Sequence, residues 1–221
     1  IKVKNINRTI ISFIKQHKET IIKPNSSTEG KGATFINTPD QLVNLWQKQS
    51  EHTEWILQRR RDRIFYKKNI DAIPQTLALR LNVGGRYPNR RVESAYVQLG
   101  KGPWHPAATS QKSTIVSINS LSGKLGFWAN GNWNEIKLDT EFWTDTCICA
   151  EKAASVFPNV LFIGIDLVID LTKELKPYCV LLEANPRPAG LCRSRSLMSN
   201  KPGISSTLWD TLEALIATCE K

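Results

Sequence analysis

The chain has 221 residues, of which 41% are hydrophobic and 23% charged, and its formal net charge is +10. That composition excludes a disordered polymer and a bundle of membrane spans, and the length allows a buried core in one domain or in two lobes. The basic excess lies in residues 1–110, which hold 19 Lys/Arg against 8 Asp/Glu, so a polyanionic partner such as a nucleotide, a nucleic acid or an acidic lipid is expected.

The N-terminus reads IKVKNINRTI, with no Met, no apolar signal core and no small-residue cleavage site, so the chain is expected to be entered partway. Ile6, Ile10, Phe13 and Ile14 recur at helical spacing and predict an amphipathic helix over 5–17. TIIKP then predicts a strand stopped by Pro24, and ATFI at 33–36 a second, the two forming a hairpin with an eight-residue tip. That tip is polar and glycine-rich, which adds little stability, so a function for it is expected. Thr38-Pro39-Asp40-Gln41 predicts a helix start with a capping box, and Leu42, Leu45 and Trp46 its inward face.

WILQ at 55–58 predicts a strand, followed by the basic run RRRDR at 59–63, expected to be a solvated edge because no nucleic-acid-binding signature accompanies it. TLALRLNVGGRY at 76–87 alternates around Arg80 and turns at Gly84-Gly85. Further strands are expected at 92–98 and 113–118, with a long loop between them that contains His105. Phe142, Thr146, Cys149, Ala150, Ala153 and Phe157 predict a helix of about four turns. Strands at 160–169 and 178–184 follow, then a final helix marked by Leu208, Leu212, Leu215 and Cys219. The run at 160–169 is too short to span a bilayer and carries Asp166 in its middle. Five cysteines, an odd number in a chain too large to need staples, fit a reducing, cytoplasmic setting. Cys147 and Cys149 form a lone C-x-C with no second pair, and are expected to be small apolar residues of a helix.

Chemistry concentrates in GIDLVIDLTKELKPYCVLLEANPRP, residues 164–188. Alternation puts Leu181, Glu183 and Asn185 on one face of the second strand. Antiparallel pairing of the two strands would set Asp166 opposite, so that three oxygen donors converge in the outline of a magnesium site, with Arg187 just beyond as a phosphate fork. Glu183 is expected to lie against a buried strand, where a carboxylate needs a cation. Asp170 and Glu174 are expected to be solvated carboxylates. The alternative, that all of these are solvated strand ends, stays open at this stage.

Glu183-Ala184-Asn185-Pro186-Arg187-Pro188 resembles the E-x-N-x-R/P signature of the ATP-grasp superfamily, with Asp166 matching its upstream metal ligand. IIKP with its Ser/Gly-rich tip is similar to the nucleotide-gripping strand and phosphate lid, WILQ to the hinge strand, and LALRLNVGGR to the D-x-R strand of the RimK-like branch. The resemblance covers essentially the whole chain, as the C-terminal portion of such a protein. It implies an α+β fold of two lobes, residues 1–60 and 61–221, gripping ATP between antiparallel sheets. Lys23 would reach the α/β-phosphates, and Ser26, Ser27, Gly30, Lys31 and Gly32 would close over the β/γ-phosphates. Backbone atoms of Leu57, Gln58, Arg59 and Arg60 would meet adenine, against which Leu182 would pack. Asp166, Glu183 and Asn185 would hold one or two Mg2+ ions, and Arg80 and Arg187 would act as catalytic residues on developing negative charge.

The resemblance further implies ligation: a carboxylate activated by ATP as an acyl phosphate and attacked by an amine or thiol. An N-terminal domain of the same parent chain would be the expected partner, besides the small-molecule substrates. Lys112-Ser113 stands where RimK-like ligases carry paired glycines, and Ala78 where their D-x-R strand carries Asp, so the acceptor is left open. Service in cell-surface polysaccharide assembly and a catalytically impaired nucleotide-binding domain are the alternatives, and a nucleic-acid binder ranks last.

Overall fold

The structure is a computed structural model that describes residues 2–3, 6–17, 19–25, 32–48, 54–107 and 113–185. The final predicted helix, Cys192, Cys219 and the tail of the signature with Arg187 lie outside the described residues, as do Ser26, Ser27, Gly30 and Lys31.

A four-stranded antiparallel sheet comes first. It runs in the order β1 (Lys2–Val3), β4 (Trp55–Arg59), β2 (Thr20–Pro24), β3 (Thr34–Ile36). Helices α1 (Arg8–His17) and α2 (Pro39–Gln47) cover one face. Asn7 accepts from the Ile10 amide and so starts α1 later than periodicity predicts. The predicted capping box holds: Thr38 Oγ1 accepts from the Gln41 amide and Gln41 Oε1 from the Thr38 amide, each at 3.3 Å. Period-two alternation sends Ile22, Ile36, Trp55 and Leu57 inward against Ile10, Ile14 and Leu42. The opposite face carries Ile21, Lys23, Phe35, Ile56 and Gln58, all half-buried.

The larger sheet has eight strands, all antiparallel. Its path is β10 (Asn132–Ile136), β9 (Leu125–Ala129), β5 (Phe65–Tyr66), β6 (Gln75–Gly84), β11 (Phe162–Leu171) and β12 (Pro177–Asn185). Strand β7 (Arg91–Leu99) pairs with β6 and with β8 (Thr114–Val116). Among the described residues, the long helix against this sheet is α3 (Thr140–Ser155), capped by Asp139 through the Phe142 amide at 2.8 Å. Odd-numbered residues of β6 and β11, from Leu77 to Val83 and from Ile163 to Leu171, form the core with Phe142, Ala150 and Ala154 of α3. Even-numbered residues, Ala78, Arg80, Asn82, Asp166, Val168 and Asp170, occupy the other face. Leu57 belongs to the first core and Ile64 to the second.

Hairpin β9–β10 went unread in the sequence, although its turn signal is plain. Asn130 and Gly131 both take positive φ, 51° and 78°, the backbone a two-residue hairpin turn requires. Both cysteines of the C-x-C lie in α3, as expected, and both are half-buried. Cys179 of β12 faces that helix, 3.0 Å from Thr146 Oγ1, and burial pushes its thiol up to about 12. Iodoacetamide at about pH 8 is therefore expected to leave Cys179 unlabelled in the native protein and to label it after denaturation. Peptide mapping by mass spectrometry that finds native labelling of Cys179 equal to its labelling after denaturation contradicts the raised thiol.

Candidate functional site

Register builds the site. Arg80 of β6 lies directly across from Asp166 of β11, and Asp166 directly across from Glu183 of β12, so three charged residues form one row across three strands. Two pairing steps along, Asn185 stands opposite Gly164, on the same face. The Arg80 guanidinium grips both oxygens of Asp166, Nε on Oδ1 and Nη2 on Oδ2 at 2.7 Å. Asn185 Nδ2 donates to Asp166 Oδ2 at 2.9 Å and to Glu183 Oε1 at 3.0 Å. Thus the predicted trio converges, and Arg80 joins it.

Two details differ from the sequence reading. A bulge falls between the pairs Asp166–Glu183 and Leu167–Leu181, leaving Leu182 as the extra residue. Strict alternation therefore breaks, and Leu181 shares the face of Leu167 rather than that of Glu183. Moreover, Glu183 is exposed although it pairs with the buried strand β11, and Asp166 is the buried member at 8% exposure. Asp166, not Glu183, is thus the desolvated carboxylate that needs a cation beside it.

Burial pushes the Asp166 carboxyl up; Arg80 pulls it down and Glu183 raises it again, leaving it at about 6. Burial also works against the Arg80 charge, but the hydrogen bonds and charge of Asp166 outweigh it and hold that guanidinium above its ordinary value. Two carboxylates in reach of one another, one of them desolvated, offer the hard oxygens that a magnesium ion takes, and the Asn185 amide bridges them through its nitrogen. Among the described residues no three His, Cys, Asp or Glu side chains gather in a group that could hold a metal ion, and Asn185 turns its amide nitrogen to both carboxylates.

The glycine at 164 is what admits the arginine. A Cβ there would sit 2.6 Å from Arg80 Nη1 and 3.2 Å from its Cδ and Cζ. Lys23 lies on the open face of β2, opposite Ile56. Gly32, with φ 76°, closes against Pro24 at the base of the tip. Leu57 is fully buried in the first core, so only its backbone can face a ligand. Gln58 and Arg59 pair with Ile21 and Thr20, and the Arg60 amide donates to Glu19 O at 3.0 Å. Leu182 is partly exposed beside Glu183, as a ligand-packing side chain needs.

The basic run is no solvated edge. Arg60 is 3% exposed: it pairs with Asp62 (2.8 Å), donates to Pro103 O (2.8 Å) and lies over the rings of Phe35, Phe65 and Trp104. Phe35 comes from the first sheet and Phe65 from the second, so this one guanidinium ties the two together. Burial raises the Asp62 carboxyl, against the pull of Arg60. Nor is Asp170 solvated: at 1% exposure it pairs with Arg61 and Arg63. Its signal was legible, since it stands four residues from Asp166 on the same strand face. Glu174, by contrast, is exposed as expected.

No family model matches the chain, and no curated protein matches it. Solved structures do. The D-alanine–D-alanine ligase from Bacillus anthracis complexed with ATP aligns with TM-score 0.51 and 13% identity, over 96% of this chain and 57% of that one. D-alanyl-alanine synthetase A from Vibrio cholerae O1 biovar eltor aligns with TM-score 0.51 and 15% identity, over 97% of this chain and 58% of that one. The chain thus spans less than two thirds of the length of these structures. At such identity the likeness concerns the fold, and the fold is the α+β ATP-grasp fold. No helix among the described residues is long and apolar enough to cross a membrane.

Gly164→Ala is expected to leave the fold intact by circular dichroism but to cost about 1–3 kcal/mol, because the new methyl displaces the guanidinium from Asp166. An unchanged urea midpoint contradicts the close approach of that arginine.

Proposed function

We infer that the chain binds ATP with magnesium between its two sheets and serves a ligase that activates a carboxylate as an acyl phosphate for an amine or thiol. The convergence of Asp166, Glu183 and Asn185 beside Arg80, on one face of a sheet in this fold, carries the reading. Support also comes from the solved ligase of the same fold that is complexed with ATP. In this reading the lobes are residues 1–60 and 61–221.

Asp166, Glu183 and Asn185 would hold magnesium, which supplies charge neutralisation and a template for phosphate oxygens. Arg80 brings a positive charge that cannot be titrated away and whose direction Asp166 fixes; such preorganised charge stabilises anionic transition states without reorganising. Arg187 is proposed as a second such group. Lys23 would meet the nucleotide phosphates from the first sheet, and Ser26, Ser27, Gly30, Lys31 and Gly32 would cover them. Backbone atoms of residues 57–60 and the Leu182 side chain would frame adenine. No side-chain nucleophile is required, because positioning and electrostatics supply the catalysis in phosphoryl transfer.

Glu183→Ala is expected to abolish magnesium-dependent phosphate release from ATP in a screen of amino acids, peptides and sugar acids, run on the longest natural form of the protein. Undiminished release removes Glu183 from the metal set. Lys23→Ala is expected to weaken ATP binding about tenfold, near 1.4 kcal/mol. Equal affinity in calorimetry takes Lys23 out of the site.

A further inference from the structure

Four cations and a single carboxylate line a hollow of about 340 Å³ at the far end of β11, away from the magnesium trio. Asp170, Arg59, Arg61, Arg63 and Lys173 are its charged residues, with Tyr178 as an aromatic wall. Asp170 lies four residues from Asp166 on the same strand face, about 13 Å along β11, so the two carboxylates head separate sites.

The carboxylate of Asp170 is fully committed inward. Its Oδ1 accepts from Arg63 Nε and from the Leu171 amide (2.8 Å); its Oδ2 pairs with Arg61 Nε (2.7 Å) and accepts from the Tyr178 hydroxyl (3.1 Å). Arg61 Nη2 also donates to the Tyr178 hydroxyl, and Arg63 Nη2 to Leu171 O. Arg63 is thereby fixed through two hydrogen bonds, whereas Arg61 pairs with Asp170 without a hydrogen bond from its Nε and is held through Nη2 on Tyr178; the Arg61 and Arg63 side chains remain 35% and 37% exposed. One buried anion orients two forks and neutralises only part of their charge; Arg59 and Lys173 add two more positive charges at the rim. A surface meant only for solvent gains nothing from holding like charges together around a cavity. Two oriented guanidinium forks and an ammonium are instead the chemistry that recognises a tetrahedral phosphate, with side-chain ordering already met in the free protein.

We propose that this hollow is a second anion site, separate from the magnesium trio, that takes a phosphate-bearing ligand. It stands on the Asp170 cluster alone and does not rest on the ligase reading.

The test is calorimetric titration of the protein with inorganic pyrophosphate in EDTA, where no metal can bridge the probe to Asp166 and Glu183. Wild-type protein is expected to bind. Lys173→Glu, on an exposed turn and outside the Asp170 pairings, is expected to bind at least about tenfold more weakly with an unchanged melting temperature. Arg61→Gln is expected to weaken binding by a similar factor, and Glu183→Ala to leave it unaltered. No wild-type binding up to about 1 mM, equal affinity in both hollow variants, or loss of binding in Glu183→Ala overturns the site. With no metal and no ATP in the cell, these outcomes are independent of ATP turnover.

Discussion

The antiparallel register of β6, β11 and β12 is the constraint on which the site depends. It sets Arg80, Asp166 and Glu183 in one row, each opposite the next, across three hydrogen-bonded strands. A buried carboxylate cannot stay charged in such a position without a partner, and Arg80 supplies one with both of its forward nitrogens. The side of Asp166 turned to β12 meets a second carboxylate and an amide. Cation on one flank and anion on the other are the surroundings in which we propose a divalent ion to bind.

Strand β11 uses its two buried aspartates differently. Asp166 shares its environment with the exposed Glu183, so its charge is only partly matched. Asp170 is saturated by two arginines, a tyrosine and a backbone amide, and serves to aim those arginines outward. The same residue type on the same face thus stands beside a second carboxylate at one end and beside a cluster of arginines at the other. The difference lies in the neighbours that the flanking chain brings in.

That flanking chain, residues 59–63, is also where the two sheets join. Arg60 turns inward under Phe35, Phe65 and Trp104, while Arg61 and Arg63 reach Asp170. Consecutive basic residues therefore go to opposite tasks, one binding the sheets together and two meeting the far end of β11. Such a junction couples the position of the first sheet, which carries Lys23, to the geometry of the second.

Much of the fold was legible because it rests on local periodicity. The capping box at Thr38 and Gln41, the alternation around Arg80 and the apolar run before Asp166 each announce their element through neighbours within a few residues. Asp166, Glu183 and Asn185 could be grouped from sequence because one turn joins their two strands, and a short connection leaves few ways to pair them. The bulge at Leu182, the exposure of Glu183, the burial of Asp170 and the inward turn of Arg60 could not be read in this way. Each depends on what lies opposite from distant chain: β6 comes some eighty residues before β11, and the arginines that meet Asp170 lie 107 and 109 residues away in sequence. Sequence alone determined which oxygens could gather; only the tertiary structure decided which of them are desolvated and which cation each one faces, because burial and charge pairing are properties of packed surfaces and not of a strand by itself.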